Sequence, residues 1–242
     1  MVEGLKVKRT HHYLSDVEYG YHLLAEFSQD VTDIREQYAL LPREETLGIA
    51  NSLGVTHPVY KPTGALRVLT SDLVLTMRPG ISPPFTVVSC KVESDLDPAH
   101  PDTQRNLEKL LIEKIYWSRR DARWVLGTDK MLPANKVANL DFFRSTMVSR
   151  ELDYLNLLII DFVRQFHMIW SKQHSMNDLL NILAEDLAIG TDHVFTLLGR
   201  SIWTRQLDFD LDSDRFAHES PMLLRATNQS PEREIYSESH DG

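Results

Sequence analysis

The sequence predicts an α/β protein in two parts: a mixed sheet flanked by helices, then a smaller and mainly helical unit. Three observations carry this prediction. Between residues 15 and 128 the patterning runs helix, strand, strand, helix, strand, the order of a central sheet covered by helices. From about residue 141 the texture changes to successive helical segments closed by an alternating stretch. Charge divides at the same place. Residues 1–145 hold 18 Lys and Arg against 19 Asp and Glu, whereas residues 146–242 hold 8 against 16, so almost all of the net charge of −9 lies in the second part.

Taken in order, residues 15–27 read as an amphipathic helix, with Val17, Tyr21, Leu24 and Phe27 at helical spacing. A loop holding Arg35, Glu36, Gln37 and Pro42 is expected next, then a short helix over 44–53 stopped by Gly54. Residues 61–64, Lys-Pro-Thr-Gly, signal a turn. Residues 66–77 and 85–92 are rich in β-branched and apolar side chains, and the Pro- and Gly-rich run between them makes a hairpin. Residues 103–119 are strongly helical, with Leu107, Leu110, Leu111 and Ile115 expected on the buried side. Residues 122–128 form a further buried strand.

The second part predicts a long helix over 151–170, a second over 175–187 and a third from 190 to about 203. The alternating residues 206–212 follow as a β-wing, so three helices and a hairpin give a winged-helix outline for residues 146–225. From residue 226 to 242 the chain is polar and is expected to be a disordered tail.

Composition removes several classes. No apolar run approaches the roughly 18 residues that a membrane span needs. The first ten residues lack the apolar core of a secretory signal. The single cysteine, Cys90, rules out an intrachain disulfide and a multi-cysteine zinc site, and a reducing cytoplasm is the expected setting. The near-neutral first part retains the ability to touch DNA if its bases cluster and its acids hold metal. The acidic second part suits a protein partner better than phosphate.

Metal-dependent phosphodiester cleavage needs carboxylates for the metal and a cation near the scissile phosphate. Asp72 on the first strand of the hairpin and Lys91 on the second are placed to meet, and Glu18 on the preceding helix is placed to join them. Two plainer readings stand beside this one. Ser15 and Glu18 have capping-box spacing. Asp72 and Lys91, each among apolar neighbours, also fit a structural ion pair.

A run of motifs bears on the choice. The stretch His11-His-Tyr-Leu-Ser-Asp-Val-Glu is followed by Val31-Thr-Asp-Ile-Arg-Glu-Gln, His57-Pro-Val, Thr70-Ser-Asp-Leu, Cys90-Lys-Val, Asn106-Leu-Glu-Lys-Leu, Tyr116-Trp and Thr128-Asp-Lys. In this order, over about residues 8–145, they resemble the TnsA endonuclease family, subunits of heteromeric cut-and-paste transposases. The resemblance implies a restriction-endonuclease-like fold for residues 1–145 and cleavage at the 5′ ends of a mobile element. It implies one or two Mg²⁺ ions, with Mn²⁺ able to substitute, and Glu18, Asp72 and Lys91 as catalytic residues. Glu18, Asp72 and the backbone carbonyl of Cys90 would hold the metal.

Glu113 matches a further acidic position of the family and is a second-rank candidate. Ser89 stands where relatives carry a Gln or an acidic metal ligand, which leaves the metal shell thin. Double-stranded DNA, a TnsB-type transposase and a TnsC-type ATPase meeting the C-terminal region are the implied partners. A non-catalytic adaptor and a free-standing restriction-type nuclease remain as alternatives.

Basic residues on or after the 103–119 helix, Arg105, Lys109, Lys114, Arg119, Arg120 and Arg123, either track phosphate or form a solvated face neutralised by Glu108 and Glu113. His11 and His12 either contact phosphate or sit on the surface. Trp117, Trp124, Trp170 and Trp203 read as core residues rather than base-stacking platforms, and Cys90 as a small buried hydrophobe. Arg200 and Arg205, beside Asp192, offer too little charge for a groove-reading helix.

Overall fold

A computed structural model describes residues 1–221 and 223–225; the expected polar tail, 226–242, lies outside them. The chain divides at Leu132/Pro133 into two units, ahead of the boundary expected at 145. The first unit is a mixed α/β fold, and its elements alternate in the order that patterning predicts, with one addition to the main sheet.

A short antiparallel pair, β1 (Val2–Glu3) and β2 (Thr10–His11), precedes α1 (Asp16–Phe27). Helix α1 starts at Ser15, whose Oγ accepts the Glu18 N–H at 3.2 Å, so one of the orphan donors of the first turn is satisfied. Val17, Tyr21 and Leu24 are buried as their spacing predicts, whereas Phe27 is half-buried. The addition is β3 (Val31–Ala39), a nine-residue strand where a loop is expected. It is an edge strand, so only one side of its backbone is paired, and its side chains include Asp33, Arg35, Glu36 and Gln37. A polar strand of this kind lacks the apolar alternation that a sequence pattern detects.

Helix α2 (Arg43–Leu53) ends at Gly54, which takes a left-handed φ of 69° and donates its N–H to Ala50 and Asn51 carbonyls. Strands β4 (Thr70–Met77) and β5 (Phe85–Lys91) form the predicted hairpin. Helix α3 (Thr103–Ser118) then crosses over to β6 (Ala122–Thr128), which pairs parallel to β5. The sheet order is β3-β4-β5-β6, antiparallel except for the last pair.

Alternation along β4 and β5 gives the sheet two apolar faces. Val74 and Val87 join Leu40, Ile49, Ala50, Ile112, Tyr116 and Trp117 in a core under α2 and α3. Leu73, Leu75 and Val88 are fully buried on the alternate positions, and α1 lies across all four strands. Gly127 on β6 admits this packing: a Cβ there would stand 2.6 Å from the buried Tyr21 ring.

The buried side of α3 differs from the expectation. Leu110 is buried, but Leu107 and Leu111 are 45% and 42% exposed. The inward positions include Glu113 and Trp117, one turn apart, together with Ile112 and Tyr116. The two large aromatic side chains Tyr116 and Trp117, in the core with Ile112, mark the face that α3 buries.

The second unit contains α4 (Ala134–Val148), α5 (Ile159–Ile169), α6 (Met176–Leu187) and α7 (Thr191–Trp203). Phe143, Phe162, Phe166, Leu183, Leu197 and Leu198 are among its buried side chains. The single helix expected over 151–170 is split, because Arg150–Leu158 is a 3-10 stretch before α5 begins. Arg200 lies against the break. Its buried guanidinium donates to the carbonyls of Thr146 (3.0 Å), Ser149 (2.8 Å) and Leu152 (3.1 Å) and to Asn156 Oδ1 (2.7 Å). A cation thus caps the carbonyl end of α4, where helix-terminal acceptors favour positive charge. The expected wing is one antiparallel bridge, Phe209↔Leu224, flanked by hydrogen bonds from Asp210 N to Leu223 O and from Arg225 N to Asp208 O. A winged-helix fold is not established by this. No helix among the described residues is long and apolar enough to cross a membrane.

Candidate active site

The three sequence-predicted catalytic residues arrive on three different elements. Glu18 lies in the first turn of α1, Asp72 near the start of β4 and Lys91 at the end of β5. The β4–β5 ladder runs from Thr76↔Phe85 to Leu73↔Val88, and Asp72 is the first residue beyond it. There its side chain replaces the backbone ladder, Oδ2 accepting the Cys90 N–H at 2.7 Å. Lys91 Nζ lies 3.6 Å from the same oxygen and donates to the Cys90 carbonyl at 2.7 Å. That carbonyl, expected to face a metal, is therefore engaged by the lysine.

Glu18 has two roles at once. Its carboxylate accepts the Leu14 N–H (3.1 Å) and the Ser15 hydroxyl (3.1 Å), so it reaches the residue before the N-cap rather than the N-cap N–H of a capping box. The same carboxylate accepts from Gln37 Nε2 at 3.2 Å, and that nitrogen is also 3.5 Å from Asp72 Oδ1. Gln37, which the sequence reading placed in a loop, links the two carboxylates.

Behind the hairpin lies a buried polar layer. Glu113 is 6% exposed, and its carboxyl interacts with the hydroxyls of Ser71 and Ser89. Each hydroxyl is in turn held by an indole: Trp117 Nε1 donates to Ser71 Oγ at 2.7 Å and Trp124 Nε1 donates to Ser89 Oγ at 3.0 Å. Burial pushes the Glu113 carboxyl up to about 7, with Asp72 adding to the rise, while the two serine hydrogen bonds oppose it. Ser89, considered as a weak metal ligand, spends its hydroxyl in this layer. Cys90 is buried, and burial followed by the charges of Asp72 and Glu18 raises its thiol. It is no nucleophile in this setting.

The residues considered for DNA contact separate into distinct environments. Arg120 makes a two-pronged ion pair with Glu45 (2.9 and 2.5 Å) and lies over the Tyr116 ring, while Arg119 approaches Glu45 at 3.7 Å. Lys114 sits over Trp124 and Arg105 pairs with Glu108 at 2.7 Å. His11 is buried with Nδ1 2.8 Å from Glu36, whereas His12 is exposed. Glu36 also pairs with Arg9 at 2.5 Å; burial works against its charge, but Arg9 and His11 outweigh it and hold the carboxyl down at about 2. Lys109 stands one turn before Glu113 on α3. Burial, then repulsion from Lys91, Arg105 and Arg67, lowers its ammonium below the usual lysine range.

Glu18 and Asp72 fit a hard divalent cation. Both converge on a single nitrogen of Gln37, and Mg²⁺ takes one or two carboxylates while keeping several waters. Among the described residues no group of three His, Cys, Asp or Glu side chains is gathered to hold a metal on its own.

Residues 28–129 match the TnsA-like endonuclease N-terminal family. Over 150 residues the chain is 35% identical to the transposon Tn7 transposition protein TnsA of Escherichia coli, a similarity covering 61% of this chain and 52% of that relative. The chain thus spans about half the length of the curated relative it matches. The matched segment holds Asp72, Lys91, Ser89 and Glu113, and Glu18 lies ten residues ahead of it. The sheet and α3 that assemble this site therefore lie within the segment that is similar to the TnsA-like endonuclease N-terminal family.

Proposed function

We propose that the first unit is a divalent-metal-dependent DNA endonuclease, and that the chain serves as the nuclease subunit of a heteromeric transposase, cutting at the 5′ ends of a mobile element. The observation that carries this reading is the linkage of Glu18, Asp72 and Lys91, from α1, β4 and β5: Gln37 joins the two carboxylates and Lys91 lies 3.6 Å from Asp72. Kinship with a transposition protein supports the transposase setting.

Glu18 and Asp72 are the residues that would hold the cation, which when bound lowers the pKa of water and neutralises charge on phosphoryl oxygens. Asp72 is held in place by the Cys90 N–H, so one of its oxygens is fixed before any ligand arrives. Lys91 presents an ammonium beside Asp72, available to orient the attacking water or to meet charge developing on phosphorus-bound oxygen. Lys109, one α3 turn before Glu113, is the basic residue of that helix proposed to meet a DNA phosphate. Arg119 and Arg120, committed to Glu45, are weaker candidates for that role.

The second unit fits a module for protein partners, winged-helix-like in outline, within the acidic part of the chain. A TnsB-type transposase and a TnsC-type ATPase are the partners this reading names, the ATPase meeting the C-terminal region. The deciding experiment is a Mg²⁺-dependent nicking assay on duplex DNA carrying an element end, with and without those partners. Cleavage lost in Asp72→Ala supports the proposal. A folded wild type that never cleaves, partners present, leaves an adaptor; full cleavage without partners makes it a free-standing nuclease.

A further inference from the structure

Gln37 is not used by the reaction above, yet it is the residue that joins the two carboxylates. It lies on β3, where pairing with β4 passes from Glu36↔Leu73 to Tyr38↔Ser71, and its φ is 49°. A left-handed backbone is uncommon for a residue with a side chain and costs energy unless the surroundings hold it. Here the side chain is held at both ends. Its Oε1 accepts from Thr70 Oγ1 at 3.3 Å, which orients the amide, and Nε2 is shared between Glu18 Oε2 (3.2 Å) and Asp72 Oδ1 (3.5 Å).

Two carboxylates aimed at one point repel each other unless a donor or a cation lies between them. The amide nitrogen carries two N–H groups and no acceptor, so it serves both. A cation shared by Glu18 and Asp72 needs the same position, and an N–H donor cannot face a cation. Resting on the metal-nuclease reading above, we propose that Gln37 is a stand-in for the divalent cation, holding Glu18 and Asp72 together in the metal-free protein and withdrawing its amide when metal binds. An interaction made only in the metal-free state opposes metal binding, because a ligand shifts an equilibrium only by its difference between the two states. Gln37 is thus a positioning residue whose hydrogen bonds weaken metal affinity while keeping the site assembled.

The test is Mg²⁺ titration of the full chain by calorimetry, beside thermal unfolding in chelator-treated buffer. In Gln37→Met the metal-free melting temperature falls and Mg²⁺ binds roughly 3- to 10-fold more tightly than in wild type, the equivalent of about one hydrogen bond. Gln37→Asn, whose side chain is too short to span both carboxylates but tolerates the left-handed backbone, shows the same direction if the methionine variant does not fold. Weaker or unchanged Mg²⁺ binding in the variant that folds overturns the inference while leaving the nuclease reading intact. A wild type without a Mg²⁺ signal, or a signal that persists in Asp72→Ala, overturns the metal site itself and the inference with it.

Discussion

Asp72 accepts the backbone N–H of Cys90 at 2.7 Å, at the position where the ladder between their strands has stopped. One oxygen of the carboxylate thus completes the sheet, and the other faces Gln37. Asp72→Ala removes both functions: cleavage is lost, and stability falls by about 1–3 kcal/mol because the Cys90 N–H loses its acceptor. Asp72→Asn keeps an acceptor for that N–H, so it retains most of the stability but not the cleavage. Urea unfolding run beside a nicking assay separates the two effects; efficient cleavage by Asp72→Asn removes Asp72 from the site.

Lys109 is half-buried on α3, and burial, followed by the charge of Lys91, lowers its ammonium below the usual lysine range. Its replacement by Ala should weaken binding to duplex DNA about equally across sequences and reduce the dependence of log K on log salt by about one contact. Arg120→Ala should leave that slope unchanged and lower stability, because its guanidinium is paired with Glu45. Binding isotherms at several salt concentrations distinguish them, and equal slopes for wild type and Lys109→Ala would count against phosphate contact.

The buried Glu113 carboxyl titrates near 7 in the folded chain, above its usual value of 4.5. Between those values the unfolded chain releases this proton and the folded chain keeps it. Stability from this group is therefore fully present below about 4.5, declines as pH rises, and is lost above about 7. Glu113→Gln, neutral at every pH, should flatten that part of the profile. Metal-free urea unfolding at pH 5 and pH 8 reads it, and an unchanged slope in the variant would assign the pH dependence elsewhere.

Gly127 faces the buried ring of Tyr21 so closely that a Cβ would stand 2.6 Å from two of its carbons. Gly127→Ala should cost about 1–3 kcal/mol through overpacking, since the ring has no open space to enter. The same substitution in a Tyr21→Leu background should cost less. Equal penalties in both backgrounds would show that the ring is not the obstacle.

The sequence by itself determined the elements whose signals are local. Ser15 and Glu18 marked the start of α1, Gly54 the end of α2, and the apolar β-branched runs the hairpin of β4 and β5. Ordered motifs also named Glu18, Asp72 and Lys91 as one candidate site; Gln37 links the first two and Lys91 lies 3.6 Å from Asp72. Tertiary structure decided what depends on partners distant in the chain. Strand β3 is polar because it is an edge, and its existence rests on pairing with β4. Helix α3 buries Glu113 beside Ile112, Tyr116 and Trp117, a face that apolar spacing did not select. Arg200 became a buried cap on α4 because the carbonyls it serves lie about fifty residues earlier. Gln37 joined Glu18 to Asp72 only once β3, α1 and β4 were side by side. Periodicity reports which face of an element is apolar; it carries no record of which distant donor will meet a buried carboxylate.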